Sequence, residues 1–249
     1  MDTALEQSQS GNAPFAPQPR QVHTITDRFS MANTYLINDD RMIIVDPGSE
    51  LNARLTIEYI PRFLHRSLDE VDLIVLTHLH PDHTAGIEAL RRQCQTPVAA
   101  SAVAREIAEG EAQGKRLPGI THRAGQALPG AFHHLDILPP PYTSQVRLID
   151  IWLNDVEGLP GHPNWRIIAS PGHTPESLCL YNPFTRALLC GDTVITIEGG
   201  GPLVRGGANR RRLEETLRTL RALPIHYLYP GHGRPILSRH PLDNMQVEW

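Results

Sequence analysis

No stretch of this 249-residue chain approaches the roughly 20 consecutive apolar residues that cross a bilayer. The N-terminus also lacks a basic region followed by an apolar run, so neither a membrane span nor a signal peptide is expected. Cysteine is scarce: Cys94, Cys179 and Cys190 are odd in number, widely spaced and without a CxxC pair. That argues against a disulfide framework and for a reducing, cytoplasmic setting. A basic excess is missing too, since the net charge is −4 and the pI about 6.3. An obligate nucleic-acid partner is therefore not expected, and the run Arg210-Arg211-Arg212 reads as a solvated helix face. No internal repeat is visible.

What is present is enough hydrophobic material, 40%, for a sizeable core. Residues 1–20, rich in Gln, Ser, Pro and Asn, read as a mobile tail, and 21–249 as a single domain. Strand-like composition marks 22–26, 33–37, 41–45, 71–76, 98–101, 146–153, 165–169 and 227–229. Residues 178–181 and 187–190 read as a hairpin. A helix is predicted over 51–65, because Leu51, Leu55, Tyr59 and Phe63 recur at helical spacing. Others are expected over 84–93 and, charged and amphipathic, over 209–222. Residues 102–145 hold a helical start and then many Gly and Pro, and read as a loop-rich insertion that suits a lid. Its apolar residues, such as Phe132 and Tyr142, suit a substrate wall or a contact with a second copy of the chain. Alternating strands and helices mixed with hairpins suggest an α/β (α+β) fold of layered sheets covered by helices.

The chemistry is concentrated in Thr77-His78-Leu79-His80-Pro81-Asp82-His83, which follows the apolar run 71–76. In an extended segment His78 and His80 point the same way. Asp82 can follow them, while His83 turns toward a neighbouring position, so the segment can feed two adjacent metal positions. Neither is complete alone, because a zinc-type cation takes about four ligands. Three more strand ends carry ligand-type residues beside small or turn-forming ones: Ser170-Pro171-Gly172-His173, Cys190-Gly191-Asp192 and Tyr229-Pro230-Gly231-His232. Most other histidines, His162 and His226 among them, read as solvated. Cys190 reads as core packing.

The order His-x-His-x-Asp-His, then His, Asp and His, resembles the metallo-β-lactamase superfamily over residues 22–240. Val45-Asp46-Pro47-Gly48 is similar to its first motif. The resemblance implies a four-layered αβ/βα sandwich with a metal cleft at the sheet edges. It further implies that His78, His80 and His173 hold one divalent ion, that Asp82, His83 and His232 hold another, and that Asp192 bridges them. Asp46 would orient a ligand histidine. Zinc is the first expectation for the ions, with iron and manganese as the other choices.

Two cations sharing a carboxylate can share a water and lower its pKa from 15.7 to about 7. The expected activity is thus hydrolysis of a small-molecule ester, thioester or lactone by a metal-bridging hydroxide, with Asp82 as the catalytic residue that shuttles a proton. The alternatives are a persulfide dioxygenase with one iron, or a phosphodiesterase or nuclease of the same fold. Glyoxalase II-like enzymes share the histidine segment but carry a C-terminal glutathione-binding extension, and only 17 residues follow His232 here. Lactonases of the family have a tyrosine three positions after the bridging Asp, where this chain has Ile195. In the loop 198–207, Arg205 is the candidate to grip a substrate carboxylate or phosphate.

Overall fold

The computed structural model describes residues 22–27, 32–114, 141–155, 158–196 and 201–249. The tail expected at 1–20 lies outside them, as do the middle of the insertion at 115–140 and residues 197–200. The first half runs β1 (Val22–Thr26), β2 (Asn33–Asn38), β3 (Met42–Val45), α1 (Glu50–Tyr59), β4 (Val71–Val75), α2 (Pro81–Thr84), α3 (Ile87–Arg91), β5 (Val98–Ser101), α4 (Ala102–Ala112), α5 (Tyr142–Gln145) and β6 (Ile151–Leu153). The second half runs β7 (Gly158–Leu159), β8 (His162–Ala169), β9 (Leu178–Asn182), β10 (Ala187–Gly191), β11 (Ile195–Thr196), β12 (Pro202–Arg205), α6 (Arg210–Arg221), β13 (Tyr227–Pro230), β14 (Ile236–Leu237) and β15 (Gln246–Glu248).

Strands β1 to β6 form one sheet in sequence order, antiparallel as far as β3 and parallel from β3 onward. A second sheet has the order β14-β13-β10-β9-β8-β7, and a small third one β11-β12-β15. Successive strand side chains point to opposite faces, and both faces of the large sheets are apolar. Tyr35, Ile37, Ile43, Val45, Leu73 and Val75 meet Trp165, Ile167, Leu180, Leu189 and Tyr227 in a core between the sheets. Their alternates Leu36, Met42, Ile44 and Ile74 pack outward with Ala53, Ile60, Ile87 and Leu90 of the helical layer. On the far side Cys179, Tyr181, Leu188 and Leu228 pack with Leu213, Leu217 and Leu220 of α6. The result is the expected helix–sheet–sheet–helix sandwich. Cys190 is buried in this last cluster, as its packing role requires. No helix among the described residues is long and apolar enough to cross a membrane.

Several expected elements come out differently. Helix α1 ends at Tyr59 and passes into a π-helical turn, Ile60–Leu64. Its Leu51, Leu55 and Phe63 are 39%, 37% and 58% exposed, while Asn52, Ala53, Thr56 and Ile60 are buried. The apolar stripe therefore faces outward. Small residues sit inward because the chain crosses closely there: a side chain on Gly86 would meet the Ala53 methyl. The polar Asn52 goes inside because its amide donates to Ala32 O and Thr34 Oγ1 and accepts from Asp27 N. The helix expected over 84–93 is two short ones, with the first beginning at Pro81, whose fixed φ suits a helix start. Of 146–153 only Ile151–Leu153 is strand, after a 3₁₀ turn. The expected loop 198–207 contains strand β12, paired with a C-terminal strand that composition did not reveal. His162 is buried, with Nε2 3.3 Å from Asp72.

Candidate metal centre

Parallel pairing sets the placement of the site. Strands β3 and β4 run parallel, as do β10 and β13, so their C-terminal ends gather at one edge. There the two sheets are tied together: Leu178 N donates to Thr77 O at 2.9 Å, and Asn33 N to Gly231 O at 2.7 Å. Asp46 follows β3, the histidine segment follows β4, His173 follows β8, Asp192 follows β10 and His232 follows β13. Within the segment, His80 is extended and caps α2, whose turn carries Asp82 and His83. An extended stretch followed by a helical turn sends two pairs of side chains to two adjacent places.

All seven expected ligands meet. His78, His80, His173 and Asp192 form one group, and Asp82, His83 and His232 another. Asp192 lies between them. Its Oδ2 is 3.3 Å from His232 Nε2, 3.5 Å from His173 Nε2 and 3.7 Å from His78 Nε2, and its Oδ1 is 3.4 Å from His83 Nε2. Asp82 Oδ2 is 3.2 Å from His232 Nε2.

A chain of hydrogen bonds orients the rings. Asp46, at φ 52, accepts from Thr77 N and from Thr77 Oγ1, both at 2.7 Å. Its Oδ2 also lies 3.0 Å from His83 Nδ1. Because the Thr77 hydroxyl donates to Asp46, it accepts from His78 Nδ1, 3.0 Å away. In their uncharged form both rings thereby carry their proton on Nδ1 and present a lone pair at Nε2.

This donor set fits a divalent cation. His78 Nε2 is buried with no hydrogen-bond partner among the described residues. Ring nitrogens also converge on each other, His173 Nε2 on His80 Nδ1 at 3.2 Å and His83 Nε2 on His232 Nε2 at 3.3 Å. Buried lone pairs gathered around a carboxylate are costly without a positive charge between them.

The electrostatics differ across the cleft. Burial pushes His78 well down and His173 to about 4, leaving neutral imidazoles. Burial would also lower His83 and His232, but Asp192 outweighs it, helped by Asp46 at His83 and by Asp82 at His232. His83 is held well above its usual value and His232 is raised to about 9. Asp192 stays well below the carboxylate range despite burial, because His232 and His83 stand beside it.

The other expectations resolve less simply. Arg205 closes β12 with Nε 3.1 Å from the Glu248 carboxylate, and no interaction among the described residues brings it to the ligand cluster. Sequence reasoning missed Asn33 and Tyr35, whose side chains both donate to Pro230 O at the turn before His232. It also missed Glu176, which accepts from Leu79 N inside the histidine segment. The available signal was a carboxylate three positions after a candidate ligand histidine; nothing in the composition of Asn33–Asn38 singled out Asn33 and Tyr35.

Known proteins are similar to this chain in sequence and in fold. The family model described as the Metallo-beta-lactamase superfamily matches residues 27–232. The probable metallo-hydrolase YflN of Bacillus subtilis is 24% identical over 88% of this chain and 86% of its own length. A hydroxyacylglutathione hydrolase of Chromohalobacter salexigens is 29% identical over 78% of this chain, which spans only 57% of that relative. The crystal structure of BLEG-1 B3 metallo-beta-lactamase superposes with a TM-score of 0.65 at 21% identity, covering 90% of this chain and 97% of that one.

Proposed function

The chain belongs to the metallo-beta-lactamase superfamily, and from that premise we propose that it is a metallo-hydrolase with two divalent ions, acting on a small carboxylic ester, thioester or lactone. The observation that carries the reading is Asp192, a single half-buried carboxylate within 3.7 Å of imidazoles from both ligand groups. His78, His80 and His173 would hold one ion, Asp82, His83 and His232 the other, and Asp192 both. Zinc suits a His and carboxylate set, and iron or manganese accept the same donors. Such a pair of ions, when bound, lowers the pKa of a shared water so that hydroxide is available at neutral pH.

The chain's own residues do the rest. Asp46 and Thr77 fix two rings by their Nδ1 protons. Asp82 is more open than Asp192, with 31% of its side chain exposed against 10%. Although burial opposes it, the His232 hydrogen bond and the His83 charge hold Asp82 well below the usual carboxylate range. It is thus ionised, as a metal ligand must be, and its greater exposure, rather than its basicity, is what suits it to relay a proton to a leaving group. The similarity to a hydroxyacylglutathione hydrolase supports an acyl substrate over a phosphoryl one.

Elemental analysis of the protein purified without added metal, with a panel of thioesters, lactones and phosphodiesters, tests this. About two equivalents of zinc, manganese or iron and acyl-ester cleavage are expected. Asp192→Ala should lower metal content and hydrolysis together. One iron with oxygen uptake on a persulfide, or full activity in that variant, would overturn the reading.

A further inference from the structure

Glu176 is only 2% exposed, yet it belongs to neither ligand group. It lies on the turn that carries His173. That turn is closed on itself: Ser170 N donates to Ser177 O at 2.8 Å, Gly172 N to Thr174 O at 3.0 Å, and the Thr174 and Ser177 hydroxyls are 2.7 Å apart. The Glu176 carboxylate is therefore placed relative to His173 by a stiff piece of backbone.

From there it reaches across to the other sheet's loop. One oxygen accepts from Leu79 N at 3.2 Å, and Leu79 stands between His78 and His80. Two residues further along the same chain, Leu178 N donates to Thr77 O. Both flanks of His78 are thus fastened to the stretch that follows His173. The three histidines of one metal position come from two loops on two different sheets, and these two bonds tie the loops together directly.

The second Glu176 oxygen accepts from Tyr142 Oη at 2.6 Å. Tyr142 opens α5, whose next residue, Thr143, donates its amide to Glu111 of α4 at 3.2 Å. The two helices at the ends of the insertion are thereby joined to each other and, through one hydroxyl and the Glu176 carboxylate, to the histidine segment. Burial and the Glu176 charge push the Tyr142 phenol far up, so it stays a donor.

We propose that Glu176, held by Tyr142, is a positioning residue that sets the His78–His80 pair against His173 and so governs one metal position and not the other. The inference rests on the two-ion reading above. It predicts that geometry matters and charge does not. A glutamine at 176 retains an oxygen to accept from Leu79 N and an amide to donate to the Tyr142 oxygen.

The test is zinc titration of the full-length chain against a chromophoric chelator, resolving the two equivalents. Glu176→Ala should weaken one equivalent about 10- to 100-fold, the range for residues that orient metal ligands, and leave the other unchanged. Glu176→Gln should restore the parent affinity. Tyr142→Phe, which keeps the ring's packing, should weaken the same equivalent to a smaller extent. Should Glu176→Ala fail to fold by circular dichroism, an unaltered Tyr142→Phe titration overturns the proposal on its own. Equal weakening of both equivalents, no weakening, or a Gln variant as poor as Ala overturns it as well. A parent that binds fewer than two ions sinks the two-ion reading itself, which is a distinguishable result.

Discussion

Asp46 Oδ2 lies 3.0 Å from Nδ1 of His83, while both Asp46 oxygens also accept from Thr77. One carboxylate thus anchors the Nδ1 side of His83 and leaves Nε2 to face Asp192. Asparagine tolerates the left-handed backbone found at this position, and its oxygen can still accept from Thr77. Its amide nitrogen cannot accept from His83. Asp46→Asn should therefore keep the fold and weaken the metal position of His83 by about 10- to 100-fold. Chelator competition beside a thermal melt checks this; undiminished affinity would show that His83 needs no such anchor.

Gly231 precedes His232, and a methyl group there would run into the Asp192 carboxylate and the His83 ring. Both metal positions share those two residues' neighbourhood. Gly231→Ala should abolish binding of both ions and cost about 1–3 kcal/mol from overpacking. Metal content and melting temperature are the measurements, and a variant loaded like the parent would refute the close approach.

Proton release should accompany metal binding. The folded pKa of His232 is raised to about 9 and that of His83 lies well above its usual value, against an unfolded value of about 6.5. Such groups stabilise the metal-free fold below about pH 6.5, and that contribution is lost as pH rises through about 9. At pH 7 the metal-free site therefore holds protons that ligation must displace. Calorimetric zinc titrations in two buffers of different ionisation enthalpy should report at least one proton released per chain. Melting of the metal-free protein should weaken between pH 7 and 9.5, and identical enthalpies in both buffers would contradict the protonated site.

The outward stripe of α1 makes a stability contrast. Leu55 is 37% exposed and Ile60 fully buried. Leu55→Ala should change unfolding free energy by no more than about 0.5 kcal/mol, and Ile60→Ala should cost about 2–5 kcal/mol. Urea denaturation of the two variants separates them, and similar losses would mean that the stripe is covered.

The layered fold and the seven clustered donor residues were legible because each rests on short-range pattern. Met42–Val45 is apolar on both faces, as a strand between two layers must be, and Val71–Val75 is apolar but for Asp72; Asp192 and His232 sit within two residues of a strand end, and His78 and His173 within four. The spacing of His78, His80, Asp82 and His83 already splits one segment toward two positions. Less legible was anything that depends on which face of an element meets a neighbour. Periodicity identifies an apolar stripe on α1 but not that Asn52, Ala53 and Thr56 would take the inward side.

The sequence by itself determined the donor set, because ligand chemistry belongs to residue types and their local spacing. Only the tertiary structure decided how those donors are held: Asp46 against His83, Asn33 and Tyr35 against the His232 turn, and Glu176 between the His173 turn and Leu79. Those contacts join residues from 37 to 197 positions apart. Hydrogen bonds over such separations leave no periodic trace in the chain; they exist only once the two sheets have closed on one another.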